Sequence, residues 1–164
     1  EGKMYAYLLS WGLFRPAFFT TALDIDTPQA EARWSSMASI LAAMVSEARR
    51  RDIDVAMLLQ PVNYLYDPAV HEPGSRFPFH YLGGEVRPQW LSERTELQRR
   101  LEGWASRLAL PYLDQTDSFR EACLEGCSLQ YELDGHWNPA GHRLAADGIE
   151  RWLRHQRPFD GLTH

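Results

Sequence analysis

Val55-Ala56-Met57-Leu58-Leu59 is an unbroken apolar run that begins a few residues after a long helical pattern and stops at Gln60-Pro61. A strand with one wet face alternates apolar and polar residues, so a run without alternation points to a strand covered on both sides, as in a parallel sheet. Proline is poorly tolerated inside a sheet and marks the strand's end. The helix before it should start at Thr27, a good N-cap, with Pro28 at the first helical position, and run to about Arg51. Trp34, Met37, Leu41, Met44, Val45 and Ala48 share one face and form its expected buried stripe. Arg49-Arg50-Arg51 suits the negative end of the helix dipole.

The rest of the chain continues the alternation. Residues 4–20 read as a short apolar helix broken near Pro16, and 21–27 as a linker. Residues 64–88 hold four prolines, three glycines and five aromatics without periodicity, the pattern of a long variable loop. Ser92 is the N-cap expected for a helix over about 92–108, with Leu97, Leu101, Trp104 and Leu108 on its apolar face. Leu110-Pro111-Tyr112-Leu113 reads as a short strand, its proline at the first residue or an edge. Thr116 or Asp117 is expected to cap a brief helix ending near Gly126. Strands alternating with helices predict an α/β domain with a parallel sheet and helices on both faces.

The 164 residues suffice for one domain with a real core. A net charge of −5 gives no reason to expect nucleic acid or an anionic membrane as partner. The arginine clusters at 49–51 and 99–100 fall at or within helices and read as solvated faces or ends. No run is long enough to span a bilayer; Met4 to Phe19 is interrupted by Gly12, Arg15 and Pro16. The first residue is Glu1, which reads as a processed product or a piece of something longer. Cys123 and Cys127 are the only cysteines. Four apart, they are helical neighbours held rather far apart for bridging, so a disulfide at a distorted last turn and two free thiols both remain open. They offer too few ligands for a zinc site.

Chemistry concentrates in Leu133-Asp134-Gly135-His136-Trp137-Asn138-Pro139-Ala140-Gly141-His142. Asp134 and His136 are two apart, so in extended or turn geometry their side chains can point the same way. Asn138 reads as an N-cap and Pro139 as the first residue of a helix whose stripe is Leu144, Ala145, Ile149, Trp152 and Leu153. Gly148 lies on that stripe and would allow close packing. The histidine is thus on a loop carried by a packed helix, where a catalytic base belongs. Trp137 is expected to pack beneath the loop and stiffen it. His142 reads as helix surface. A metal set of Asp134, His136 and His142 lacks the four-residue histidine spacing of helical zinc motifs, so no metal is assigned.

The block Asp-Gly-His-Trp-Asn-Pro-Ala-Gly-His-Arg-Leu-Ala-Ala, residues 134–146, resembles the last motif block of the SGNH (GDSL-like) hydrolases. It is most similar to the subgroup with Asp-x-His-Trp, which includes polysaccharide O-acetyltransferases. The resemblance implies a three-layer α/β/α, flavodoxin-like fold, with Asp134 and His136 as the acid and base of a Ser-His-Asp triad. It further implies acyl transfer from an acylated, carbohydrate-type ester without any cofactor, in an extracytoplasmic or periplasmic setting. The family's Gly-Asp-Ser and Gly-x-Asn-Asp blocks have no counterpart in this sequence. Residues 28–155 resemble the family's C-terminal half, so the chain is expected to be a single such domain or the C-terminal part of one. The missing half would lie upstream or on a companion chain, and a companion or a homo-oligomer would then complete the sheet.

In a self-contained arrangement, Ser10 in Leu8-Leu9-Ser10-Trp11-Gly12 is the nucleophile candidate. Asn63, past the end of the apolar strand, is then the oxyanion donor. Tyr64, Tyr66, Phe77, Phe79, His80 and Tyr81 crowd the long loop, where aromatics either stack on sugar rings or build a satellite core. Tyr64, Asn63 and Trp137 are the expected substrate-binding residues. The alternative function is a catalytically silent domain that keeps the fold for carbohydrate binding or protein contact.

Overall fold

A computed structural model describes residues 23–72, 87–131 and 136–155. Among these, the order is helix α1 (Pro28–Arg50), strand β1 (Met57–Leu59), 3-10 turns at Asn63–Leu65, Pro68–His71 and Pro88–Leu91, helix α2 (Glu96–Arg107), strand β2 (Tyr112–Asp114), helix α3 (Thr116–Leu124) and helix α4 (Pro139–Leu153). The two strands run parallel, with Met57 opposite Tyr112, Leu58 opposite Leu113 and Leu59 opposite Asp114. The chain is therefore mixed α/β. Pro111 sits just ahead of β2, and its carbonyl accepts the Met57 N–H at 2.8 Å, so the residue that cannot donate still accepts.

α1 begins as its sequence predicts, with the Thr27 hydroxyl accepting the Ala30 N–H at 3.1 Å and Pro28 following it. Its inner stripe differs. Val45 is buried, and Trp34, Ala38, Leu41 and Ala42 pack with it against Trp104, Ala105 and Leu110, together with Val55, Met57 and Tyr112. Met44, expected in that stripe, is 62% exposed, as is Ile40. At about 100° per residue these two point away from the sheet. β1 also departs from expectation. Met57 faces α1, but Leu58 on the opposite side is 45% exposed, so this strand is covered unequally.

α2 starts later than expected. Pro88–Leu91 is a separate turn, and Thr95 rather than Ser92 is the cap, because Thr95 and Gln98 form a reciprocal capping box. α3 has neither expected cap. Gln115 precedes it without a side-chain cap bond, while the Asp114 carboxylate accepts the Thr116 N–H at 2.9 Å.

All three helices α1 to α3 end in the same way. A residue at positive φ (Asp52 at 57°, Ala109 at 48°, Gly126 at 88°) follows the last turn. The next amide then reaches back to the carbonyl five residues earlier: Ile53 to Ala48, Leu110 to Ala105 and Cys127 to Ala122. This closure satisfies carbonyls that a helix end otherwise leaves open. Only the third site uses glycine.

The described part of 64–88 is core as well as connection. Tyr64, Leu65 and Val70 are buried with Leu23 and Trp90, as a satellite core would be. A third cluster joins Tyr66, Phe119, Leu129 and Ala145, with Leu144 and Trp137 packed on it. Gly148 does allow close approach, since a β-carbon there would collide with the Gln115 side-chain amide. No helix of the described residues is long and apolar enough to cross a membrane. The expected helix over 4–20, Ser10, and the loop residues Phe77, Phe79, His80 and Tyr81 lie outside the described residues.

Ala109 holds a left-handed conformation that costs an L-residue about 1–2 kcal/mol and glycine little. Ala109→Gly is therefore expected to raise stability by about 0.5–1 kcal/mol after glycine's greater unfolded-chain entropy is offset. A urea melt of the two proteins checks the sign.

Candidate functional site

The site is built on a short backbone ladder. The Tyr131 N–H donates to the His136 carbonyl at 2.9 Å and the Asn138 N–H to the Leu129 carbonyl at 3.0 Å. Gln130 and Trp137 consequently form an antiparallel bridge. Side chains alternate across such a ladder. Gln130, 8% exposed, and the partly buried Trp137 turn inward, while Tyr131, 51% exposed, and His136 turn outward. His136 is thus presented on the outer face of a two-residue ribbon. Asp134, in the connection 132–135, and Ser10 lie outside the described residues.

Asn138 fixes the ribbon to α4. Its carbonyl oxygen accepts the Ala140 and Gly141 N–H groups at 2.9 and 3.1 Å, which caps the helix. Its amide nitrogen donates to the Ser128 carbonyl at 2.8 Å and the Gln130 carbonyl at 3.3 Å. One side chain therefore holds the first turn of α4 and the strand opposite His136. Gly141 completes the joint. A β-carbon there would run into the Leu129 carbonyl and lie 3.0 Å from Trp137 Cβ, so only glycine lets the helix lie this close.

Trp137 packs at 4.8 Å, centroid to centroid, on Phe119, which packs at 5.1 Å on Tyr66. This is the support expected of it. His142 is exposed and stands edge-on to Trp137 at 5.8 Å.

The ribbon is also tied to the turn after β1. The Gln130 amide donates to Asp67 Oδ2. The Asp67 N–H donates to the Asn63 carbonyl at 2.8 Å. Arg120, from α3, donates to the Leu65 carbonyl at 2.7 Å and to the Trp90 and Glu93 carbonyls at 2.6 and 2.9 Å. Asn63 and His136 thus belong to one connected structure. Asn63 itself is 6% exposed, and Tyr64 is 7% exposed within the satellite core.

Sequence reasoning did not single out Asp67, Gln130, Arg120 or Gly141. Only Gly141 left a signal, a glycine in the first turn of a helix, where its cost needs a packing reason. Among the described residues no three His, Cys, Asp or Glu side chains converge to hold a metal ion.

Cys123 and Cys127 are free thiols, the first half-buried and the second exposed. Burial, with Asp67 and then Cys127 adding to it, pushes the Cys123 thiol up to about 11. Burial likewise raises the phenols of Tyr64, Tyr66 and Tyr112. The Trp137 indole beside Tyr66 opposes that rise without a well-formed hydrogen bond, since the buried Tyr66 hydroxyl has no hydrogen-bond partner among the described residues.

The chain matches no protein-family model, no curated protein and no solved structure.

Three outcomes follow. Gly141→Ala should destabilise the protein by about 2 kcal/mol, the cost of overpacking against a backbone carbonyl that cannot yield, despite alanine's better helix propensity. Thermal melts test it. Cys123, Tyr64, Tyr66 and Tyr112 have folded pKa values above their ordinary ones of 9.0 and 10.0. Their contribution to stability is complete below those ordinary values and is lost as pH rises through the raised ones. Urea midpoints should therefore fall from about pH 9 upward, and at pH 8 a maleimide should label Cys127 well before Cys123.

Proposed function

We propose that this chain carries the acid–base part of a serine-dependent ester hydrolase or O-acyltransferase of the SGNH (GDSL-like) type, within a three-layer α/β/α arrangement. Its substrate is an acylated carbohydrate. His136 takes the proton of a serine hydroxyl as that oxygen attacks the ester carbonyl, and returns it to the departing alcohol. Asp134 holds the imidazole in the required tautomer and stabilises the imidazolium. Water then releases the acyl group, or a sugar hydroxyl accepts it.

One observation carries this reading. An exposed histidine sits on a ribbon clamped to a helix by Asn138 and tied through Gln130 and Asp67 to the turn beyond the carboxyl end of a parallel strand. Ligands of open α/β sheets bind at that end. Asn63 starts that turn and is the candidate oxyanion donor. The serine is Ser10 or one outside this sequence.

A second reading is a silent carbohydrate-binding or interaction domain. It is favoured by the absence of Gly-Asp-Ser from the sequence and by the burial of Asn63 and Tyr64.

A fluorophosphonate probe followed by mass mapping separates the two. The hydrolase reading expects a serine adduct on this protein or on a longer form of it, with labelling reduced on the order of a hundredfold in His136→Ala, the scale of general-base catalysis. Absence of any adduct in both forms would leave the binding domain.

A further inference from the structure

α1 is apolar on two faces. The inner one meets the sheet and α2. On the outer one, Ile40 and Met44 are four apart and each 62% exposed, with the half-buried Met37 three residues before Ile40. Exposed Ser36 and Ala43 flank them. Arg33 lies seven residues before Ile40 and Glu47 seven after it, both exposed and both on this face. Seven residues are close to two full turns, so the three side chains line up.

This spacing is self-complementary in one orientation only. If a second α1 is laid antiparallel with Ile40 against Ile40, each Arg33 meets the other copy's Glu47. Met44 then lies opposite Ser36 and Met37 opposite Ala43, large against small, as interdigitating helices require. A parallel alignment would set Arg33 against Arg33 and Glu47 against Glu47.

We infer that the outer face of α1 is a self-association surface, on which a second copy of this chain docks with its α1 antiparallel about a two-fold axis at Ile40. The contact is isologous, so it closes as a dimer rather than extending into a filament. It lies on α1 and owes nothing to completion of the sheet. Arg33 and Glu47 are about 21 Å apart along the helix. A single helix pair of that length is a smaller contact than the about 1,200–2,000 Å² that stable interfaces bury. The dimer is accordingly weak and reversible. Glu47 already accepts from Arg50 at 2.7 Å and Arg51 at 2.6 Å, and a carboxylate has lone pairs for a further donor.

Sedimentation equilibrium of the full chain, from low micromolar to near-millimolar concentration, tests this. A monomer–dimer equilibrium is expected. Ile40→Glu should weaken it by roughly tenfold or more, since it sets two carboxylates together at the axis. Arg33→Glu and Glu47→Arg should each weaken it, and the double variant should recover most of the loss, as a swapped pair does. Because all three positions are exposed, thermal melts should show each variant folded. A monomer at every concentration overturns the inference. So does a dimer indifferent to Ile40→Glu, or a double charge variant no better than its parents.

Discussion

The amide of Gln98, 1% exposed, holds the frame together. Its oxygen accepts the Thr95 N–H at 2.8 Å, which starts α2. Its nitrogen donates to Asp114 Oδ2 at 2.9 Å and Thr116 Oγ1 at 3.1 Å, which joins α2 to the end of β2 and the start of α3. A buried polar group left unpaired costs about 1–3 kcal/mol. These bonds therefore also fix register. Sliding β2 by one residue would turn Asp114 away from Gln98 and present Leu113 instead. Because Asp114 lies opposite Leu59, the end of β1 and the turn that begins at Asn63 are set from the same point.

What was legible in the sequence was local. Thr27-Pro28 and Asn138-Pro139 could be read because a cap bonds amides two or three residues away, so the motif and its partner lie in one window. Thr95-x-x-Gln98 is equally local and outranks Ser92, since only Thr95 has the acceptor three residues later that makes a reciprocal pair. Met44 falls on the expected inner stripe because α1 has two apolar stripes. Periodicity finds stripes but does not say which one meets the rest of the chain. Asp52 and Ala109 at positive φ gave no sign because neither is glycine. The left-handed residue there is imposed by helix ends that must turn at once into β1 and β2.

Nothing local announces the ties that assemble the candidate site. Asp67 and Gln130 are 63 positions apart, and Arg120 reaches a carbonyl 55 positions away. Each is a long-range polar contact between residues ordinary in their own segments. The aromatic path from Tyr66 through Phe119 to Trp137 is of the same kind. Aromatic crowding after β1 was visible, but Tyr66 at 2% exposed and Tyr64 at 7% show that crowding serving burial. Cohesion of the site thus comes from contacts that only the fold brings together.

The ribbon also gives the proposed chemistry a direction. Trp137 and Gln130 occupy its inner face, where Phe119 and the Asp67 carboxylate meet them, so that face is filled by support. His136 shares the outer face with Tyr131, across the bond from the Tyr131 N–H to the His136 carbonyl. Opposed residues on one face of an antiparallel pair have β-carbons about 4.5–5.5 Å apart. In the proposed chemistry a serine hydroxyl and its acyl substrate would have to meet the imidazole on this outer face. The Asp67 carboxylate accepts from the Gln130 amide and from the Ala69 N–H. That makes it a tether between the ribbon and the turn after β1.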